Sequence, residues 1–306
     1  MLKWLSISVL VIAASMGVFR FKKFEVINER SAMKVNTDGV LLGAAMTLAP
    51  SDRRLLDIGT GTGTIALMVA QRLSDLRNGC LQLEVERTLS AEADMRTEAS
   101  SEARPEPSLK EHVSGVWIDA VDIDEPSARE AAANFERSFW AAELHAHNLS
   151  LDEFNSALKA GTLTSGPASR QPEGKYDMIF SNPPYFEDSL TAPDERKSTA
   201  RHTSEGLSYR DIFDFAKEHL SENGRVSLVL PSDQETAICR YARMSGLHLF
   251  RVLRIRTVPR KNPSRIIIEF SCLRPQSVED SILTIQNEGQ YTQEYLSLTK
   301  DFYLFA

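Results

Sequence analysis

The chain has 306 residues, 42% hydrophobic and 25% charged, which excludes a disordered or fibrous protein and suits one large or two small globular domains. A formal charge of −7 excludes a surface coated in basic residues, so any nucleic-acid contact has to come from a local patch. Cys80, Cys239 and Cys272 are odd in number, far apart and without CxxC spacing, which argues against a disulfide scaffold or a metal site and for a reducing, cytosolic setting.

The opening stretch MLKWLSISVLVIAASMGVF places Lys3 before an apolar run ending in Ala13-Ala14-Ser15, like a signal peptide. It is short for a membrane span, which needs ~20 apolar residues. We read residues 1–18 as a hydrophobic leader left by a misplaced start, Met16 being the natural one, with a working signal or anchor as the alternative. Residues 19–306 then form a single domain.

Thr37-Asp38 before GVLLGAAMTLA predicts a capped short helix. The run 53–58 predicts a buried strand that enters Asp57-Ile58-Gly59-Thr60-Gly61-Thr62-Gly63, and apolar residues recur at helical spacing over 65–73. A second strand over 116–121 ends at Asp122-Ile123-Asp124, and a helix over 126–139 begins with proline in its first turn. Between these pairs lies an acidic insertion at about 79–112, poor in aromatic residues, which reads as flexible or partly helical. A shorter loop of similar character spans 161–174. A strand over 176–180 then delivers FSNPPYFED, followed by a helix over 209–220, a strand over 225–230 and a helix over 233–244. Two further strands, 247–258 and 265–273, are separated by PRKNPS and predict an antiparallel pair. Alternating strands and helices are the pattern of an α/β fold with a mostly parallel, Rossmann-like sheet.

Glycines after a strand let a ligand approach the backbone, and the helix that follows presents free N–H groups. The spacing here is GxGxG with an acid two residues ahead, rather than the GxGxxG of a pyrophosphate site, and it suits a ligand bearing an ammonium group. An acid at the end of the second strand is placed to accept from a ribose diol; Asp122 is the choice and Asp124 the competitor. In the Asn-Pro-Pro-Tyr segment the prolines lack donors and stiffen their neighbours. The Asn182 side-chain oxygen and the Pro183 carbonyl can then act as paired acceptors for a planar NH₂ group beside the face of Tyr185. Such a nitrogen is a weak nucleophile that gains from orientation, and a methyl sulfonium with an amino-acid tail would suit both Tyr185 and Asp57.

DIGTGTG, AVDID and SNPPY together resemble class I S-adenosylmethionine-dependent methyltransferases acting on amino nitrogens. FRFKKF, SAMKVNTDGVLLG, the Ala200-Arg201-His202 segment and YTQEYLSLTKDFYLF resemble, within that class, the bacterial tRNA adenine-N6 methyltransferases that modify A37 of a valine tRNA. The resemblance runs from Phe19 to the end, apart from the insertion. It implies a seven-stranded sheet with an antiparallel last strand and helices on both faces. It also implies S-adenosyl-L-methionine held by Asp57, Gly59, Gly61 and Asp122 with Lys34 and Thr37 nearby, and adenine held by the segment from Asn182 to Tyr185. The implied partner is tRNA, in the cytoplasm, with no metal and no stable membrane association.

Arg254, Arg256, Arg260, Lys261 and Arg265 form the basic patch that an acidic RNA enzyme needs, unless they merely blunt an edge strand. Arg201 and His202 could join it. Rival readings are methylation of protein glutamine or of guanine N2 in ribosomal RNA, or an RNA-binding protein without catalysis.

Overall fold

The structure, a computed structural model, describes residues 17–31, 33–94, 115–163, 174–184 and 207–306. All but the last two residues of the leader, the second part of the insertion, most of the loop at 161–174, Tyr185 and the Arg201-His202 pair lie outside them.

The N-terminal hairpin pairs β1 (Val18–Arg20) with β2 (Glu25–Ile27). Its turn buries Phe21 and Phe24, whose rings meet Tyr303 and Trp140, so both ends of the described chain share one aromatic cluster. Next comes α1 (Thr37–Ala45), then β3 (Arg54–Ile58), α2 (Thr64–Asp94), β4 (Trp117–Asp122) and α3 (Glu125–Glu136). The α2 helix runs on through the first part of the insertion, so that part is helical. β5 (Leu144–Asn148), α4 (Leu151–Ala160), β6 (Tyr176–Ser181), α5 (Tyr209–His219), β7 (Leu220–Pro231) and α6 (Glu235–Met244) follow. The chain finishes with β8 (His248–Arg256), β9 (Arg265–Ser271), β10 (Glu279–Thr284), the small hairpin of β11 (Gln286–Asn287) and β12 (Gln290–Tyr291), and α7 (Gln293–Thr299).

The main sheet has the order β10-β8-β9-β7-β6-β3-β4-β5. All neighbours are parallel except β9, which is antiparallel to both β7 and β8. The predicted antiparallel pair is therefore present, but the sheet has eight strands where seven were expected. The extra strand, β10, carries too little apolar patterning to be read as one. It is held to β8 by cross-strand charge pairs, Glu279 with Arg251 and Asp280 with Arg254. β9 lies inside the sheet, and its run IIIEF is buried on both faces. The charge at its centre, Glu269, is matched by Arg251 Nη1 at 2.6 Å and by the backbone N–H and hydroxyl of Thr47.

One face of the sheet packs against Leu41, Leu42, Leu67 and Val69 of α1 and α2, together with Ala131 and Phe135 of α3. The other face packs against Phe154, Ile212, Phe213 and Ile238 of α4, α5 and α6. Chain order reverses between β3 and β6, which lie side by side with Ile58 opposite Ser181. In open α/β sheets, ligands bind at the carboxyl ends of the strands at such a reversal. Among the described residues no helix is long and apolar enough to cross a membrane.

Candidate active site

The glycine turn leaves β3 at the point of reversal. Gly59, Gly61 and Gly63 have φ values of 72°, 58° and 78°, left-handed conformations that side chains resist. Gly63 has a clear further reason to lack a side chain, Gly59 a weaker one, while a Cβ on Gly61 would meet only ordinary contacts. A Cβ on Gly63 would lie 2.5 Å from the Phe135 ring, and one on Gly61 would face Met33 O and Ser31 Oγ. A Cβ on Gly59 would reach Leu207 Cδ2 at 3.3 Å. The turn is stitched to β4 by Gly59 N–H and Thr60 N–H, both donating to Val121 O.

Asp57, on the last turnward part of β3, is fully buried. Thr60 Oγ1 donates to its Oδ2 at 2.7 Å, while its Oδ1 has no hydrogen-bond partner. Burial pushes its carboxyl up to about 7, the Thr60 bond and the Ala66 backbone N–H opposing and the nearby charge of Asp122 adding. A buried carboxylate oxygen without a donor is costly on its own, and an ammonium group satisfies it.

Asp122 ends β4. Its Oδ2 accepts from Gly61 N–H at 2.8 Å and its Oδ1 from Asp124 N–H at 2.9 Å, so it holds the glycine turn and the strand end together. Burial raises its carboxyl despite those two bonds. Asp124, the competing ribose candidate, has a different task. Its Oδ2 caps α3, accepting from Ser127 N–H at 3.0 Å and Ser127 Oγ at 2.6 Å. Between these two fixed acids stands Ile123, 76% exposed, a large apolar side chain at the rim that sequence reasoning passed over. Asn148, at the end of β5, closes this corner by donating to Asp122 O and Ile123 O.

Across the reversal, Asn182 follows β6. Ser181 Oγ donates to Ile58 O at 2.6 Å and ties the two strand ends together. Asn182 and Pro183 are buried and Pro184 is exposed. Asn182 Nδ2 points at Asn36 Oδ1, 3.4 Å away, and at Met33 Sδ, 3.7 Å away, which turns its Oδ1 away from both. Neither Asn36 nor Met33 was singled out from the sequence. Asn36, rather than Thr37, is the N-cap of α1, accepting from Gly39 N–H at 2.8 Å. An Asn three residues ahead of Gly39, just before the apolar run, is a readable cap signal. Thr37 is the first helical residue, and Lys34 spans its own loop, donating to Asn28 O and Glu29 O.

The basic residues divide in two. Arg254 is engaged by Glu235 and Asp280, Arg256 by Thr284 Oγ1 and Pro259 O, and Arg265 by Asp38 in the first turn of α1. Arg260 and Lys261 stand exposed in the loop between β8 and β9. Since β8 runs parallel to β7 and β6 through the intervening antiparallel β9, this loop leaves at the same carboxyl edge as Asn182.

The fold and this site define a class I S-adenosylmethionine-dependent methyltransferase domain. The architecture matches a solved structure described as a predicted O-methyltransferase of Agrobacterium tumefaciens, with a TM-score of 0.55 at 15% identity, covering 87% of this chain and 96% of that one. No family model matches the chain. Full-length relatives do: the tRNA1(Val) (adenine(37)-N6)-methyltransferase of Bacteroides fragilis is 35% identical over 95% of this chain and 99% of its own. Those of the same name from Flavobacterium psychrophilum and Yersinia pseudotuberculosis are 32% and 33% identical, each over 94% of this chain and over 99% and 92% of their own. The chain belongs to the tRNA1(Val) (adenine(37)-N6)-methyltransferase family.

Proposed function

We propose that the protein transfers a methyl group from S-adenosyl-L-methionine to N6 of an adenine in tRNA, A37 of a valine tRNA, in the cytoplasm. The observation that carries this reading is the pairing, across one strand reversal, of an unsatisfied buried carboxylate oxygen on Asp57 with a held amide on Asn182.

The residues fit the cofactor: Asp57 Oδ1 would take its ammonium, the backbone of Gly59 and Gly61 its methionine part, and Asp122 its ribose. Ile123 offers an apolar surface to its flat base. When bound, S-adenosyl-L-methionine supplies an electrophilic methyl group on a cationic sulfur. The chain's own contribution is orientation. Asn182 Oδ1 and the Pro183 carbonyl accept the two N6 protons of the target base, which turns the nitrogen lone pair out of the ring plane. As positive charge develops on that nitrogen its protons become stronger donors, so the same two acceptors bind the transition state more tightly than the ground state. Tyr185 would stack on the base. Arg260 and Lys261, with Arg254, Arg256 and Arg265 behind them, would meet the phosphates of the RNA that presents it.

The test is incubation with labelled cofactor and total tRNA lacking the modification, followed by nucleoside analysis. N6-methyladenosine at position 37 of the valine tRNA is expected. Label confined to protein or to N2-methylguanine would overturn the proposal.

A further inference from the structure

A carboxylate outside the site residues reaches back to the segment that covers it. Glu130, on α3, is 6% exposed, and its partners are three successive backbone N–H groups. Oε1 accepts from Glu29 at 2.7 Å and Arg30 at 2.9 Å, and Oε2 accepts from Ser31 at 2.9 Å. One turn further along the same helix, the fully satisfied amide of Asn134 accepts from Ile27 N–H and donates to Ile27 O and to Thr62 O in the glycine turn. The Ser31 and Ser127 hydroxyls meet at 2.9 Å. The segment is also pinned to itself, by Lys34 on Asn28 O and Glu29 O and by Asn28 Oδ1 accepting from Val35 N–H.

What the segment delivers lies at the site. Met33 O and Ser31 Oγ lie against Gly61, and Met33 Sδ and Asn36 Oδ1 receive Asn182 Nδ2. A side chain's amide oxygen and nitrogen occupy opposite sides, so the partner chosen by Nδ2 decides where Oδ1 points. The hairpin that precedes the segment has only three residues per strand, and its packing anchors Phe21, Phe24 and Val26 rather than residues 28–36.

Resting on the function proposed above, we infer that Glu130 is a positioning residue for the reaction: by gripping the N–H groups of Glu29, Arg30 and Ser31 it holds the N-terminal segment closed on the glycine turn and sets the amide of Asn182. Its carboxylate is taken up by backbone N–H groups, so it acts through residues 28–31 and 33–36. Its effect therefore falls on cofactor retention and on turnover together, because one segment borders both halves of the site.

Three measurements on E130A and E130Q test this: hydrogen exchange of the amides at 29–31, calorimetric binding of S-adenosylhomocysteine, and kcat and KM for methyl transfer to tRNA. E130A should lose amide protection at 29–31, bind S-adenosylhomocysteine about tenfold more weakly and lose kcat by at least as much, since bonds to a charged acceptor are among the stronger ones. E130Q should recover part of each loss, because one amide oxygen can still take the two N–H groups that Oε1 takes now, while its NH₂ faces the Ser31 N–H and the charge is gone. Should E130A not fold, E130D withdraws the carboxylate by one methylene and should show the same losses in smaller measure. Lost amide protection with wild-type binding and kcat would overturn the inference, as would an E130Q variant no better than E130A. If the wild-type protein methylates no tRNA, the functional proposal falls by itself; exchange and S-adenosylhomocysteine binding still decide whether Glu130 holds the segment.

Discussion

Replacing Asp57 by Asn isolates the most unusual charge in the molecule. The carboxyl is fully buried, one oxygen lacks a partner, and burial lifts it from 3.8 to about 7. The direction of the linkage follows. A carboxyl raised in the folded state favours the protonated form, so its contribution to the ligand-free fold is complete below pH 3.8 and is lost as pH rises through about 7. The interval corresponds to about 4 kcal/mol at its limit. An ammonium ligand reverses the preference, because it binds the ionised form. From pH 7 to 5.5 the ionised fraction falls from about a half to about 3%, so the apparent Kd for S-adenosylhomocysteine should rise about 15-fold. The ligand's own α-amino group, with a reference value near ~7.7–8.0, stays protonated throughout that range. D57N should bind about 10–100-fold more weakly at pH 7, the loss expected for a hydrogen bond to a charged group, and with little pH dependence. Isothermal titration calorimetry at closely spaced pH values reads both quantities. A wild-type Kd that stays flat from pH 7 to 5.5, or a D57N variant with the wild-type slope, would refute the role given to this carboxylate.

Asn182→Ala should bind S-adenosylhomocysteine like the wild type while losing methyl transfer by about 10²-fold or more, because it removes an acceptor used most in the transition state; unchanged turnover would remove Asn182 from its role. Gly63→Ala should destabilise the fold by about 2–5 kcal/mol in urea unfolding, combining left-handed strain with the 2.5 Å approach to Phe135, and a cost below about 1 kcal/mol would contradict the packing described. Lys261→Ala should weaken tRNA binding and lower the slope of log Kd against log salt by about one, without affecting S-adenosylhomocysteine binding; an unaltered slope would take the loop between β8 and β9 out of the RNA surface.

How much of this was legible depended on whether a feature is local. The glycine turn, the acids at the end of β4 and the Asn-Pro-Pro segment are short, and each carries its own conformational demand. They were therefore readable, and parallel-sheet logic placed them on one edge. β3 and the start of α3 followed from apolar period and a first-turn proline in the same way, although α3 ends at Glu136 and not at 139. β5 was missed because LHAHN is nearly polar. Its His147 is turned inward to Asp119, a buried carboxylate on which Trp117 and Tyr176 also converge, so a polar residue takes an inward position of a strand paired with β4. β10 was missed for a related reason, its two leading acids being answered by arginines on β8.

Apart from the exposed Ile123, the parts of the site that escaped sequence reasoning share a property: each is defined by its contact with a distant segment. Asn36 matters because Asn182 lies beside it, 146 residues away in sequence. Glu130 matters because three N–H groups about 100 residues earlier converge on it. In isolation Asn36 reads as a helix cap and Glu130 as a charge on an amphipathic helix, and no local pattern ties either to the site. The same distance explains their effect. A class I domain brings its glycine turn and its acceptor strand together at the strand reversal, but the rotamers at that meeting point are set from outside the sheet, by a segment that the sheet itself does not hold. Anchoring that segment on α3, the helix that also packs Phe135 against Gly63, makes one rigid element the reference for both halves of the site. A disturbance of α3 should therefore reach cofactor and acceptor alike.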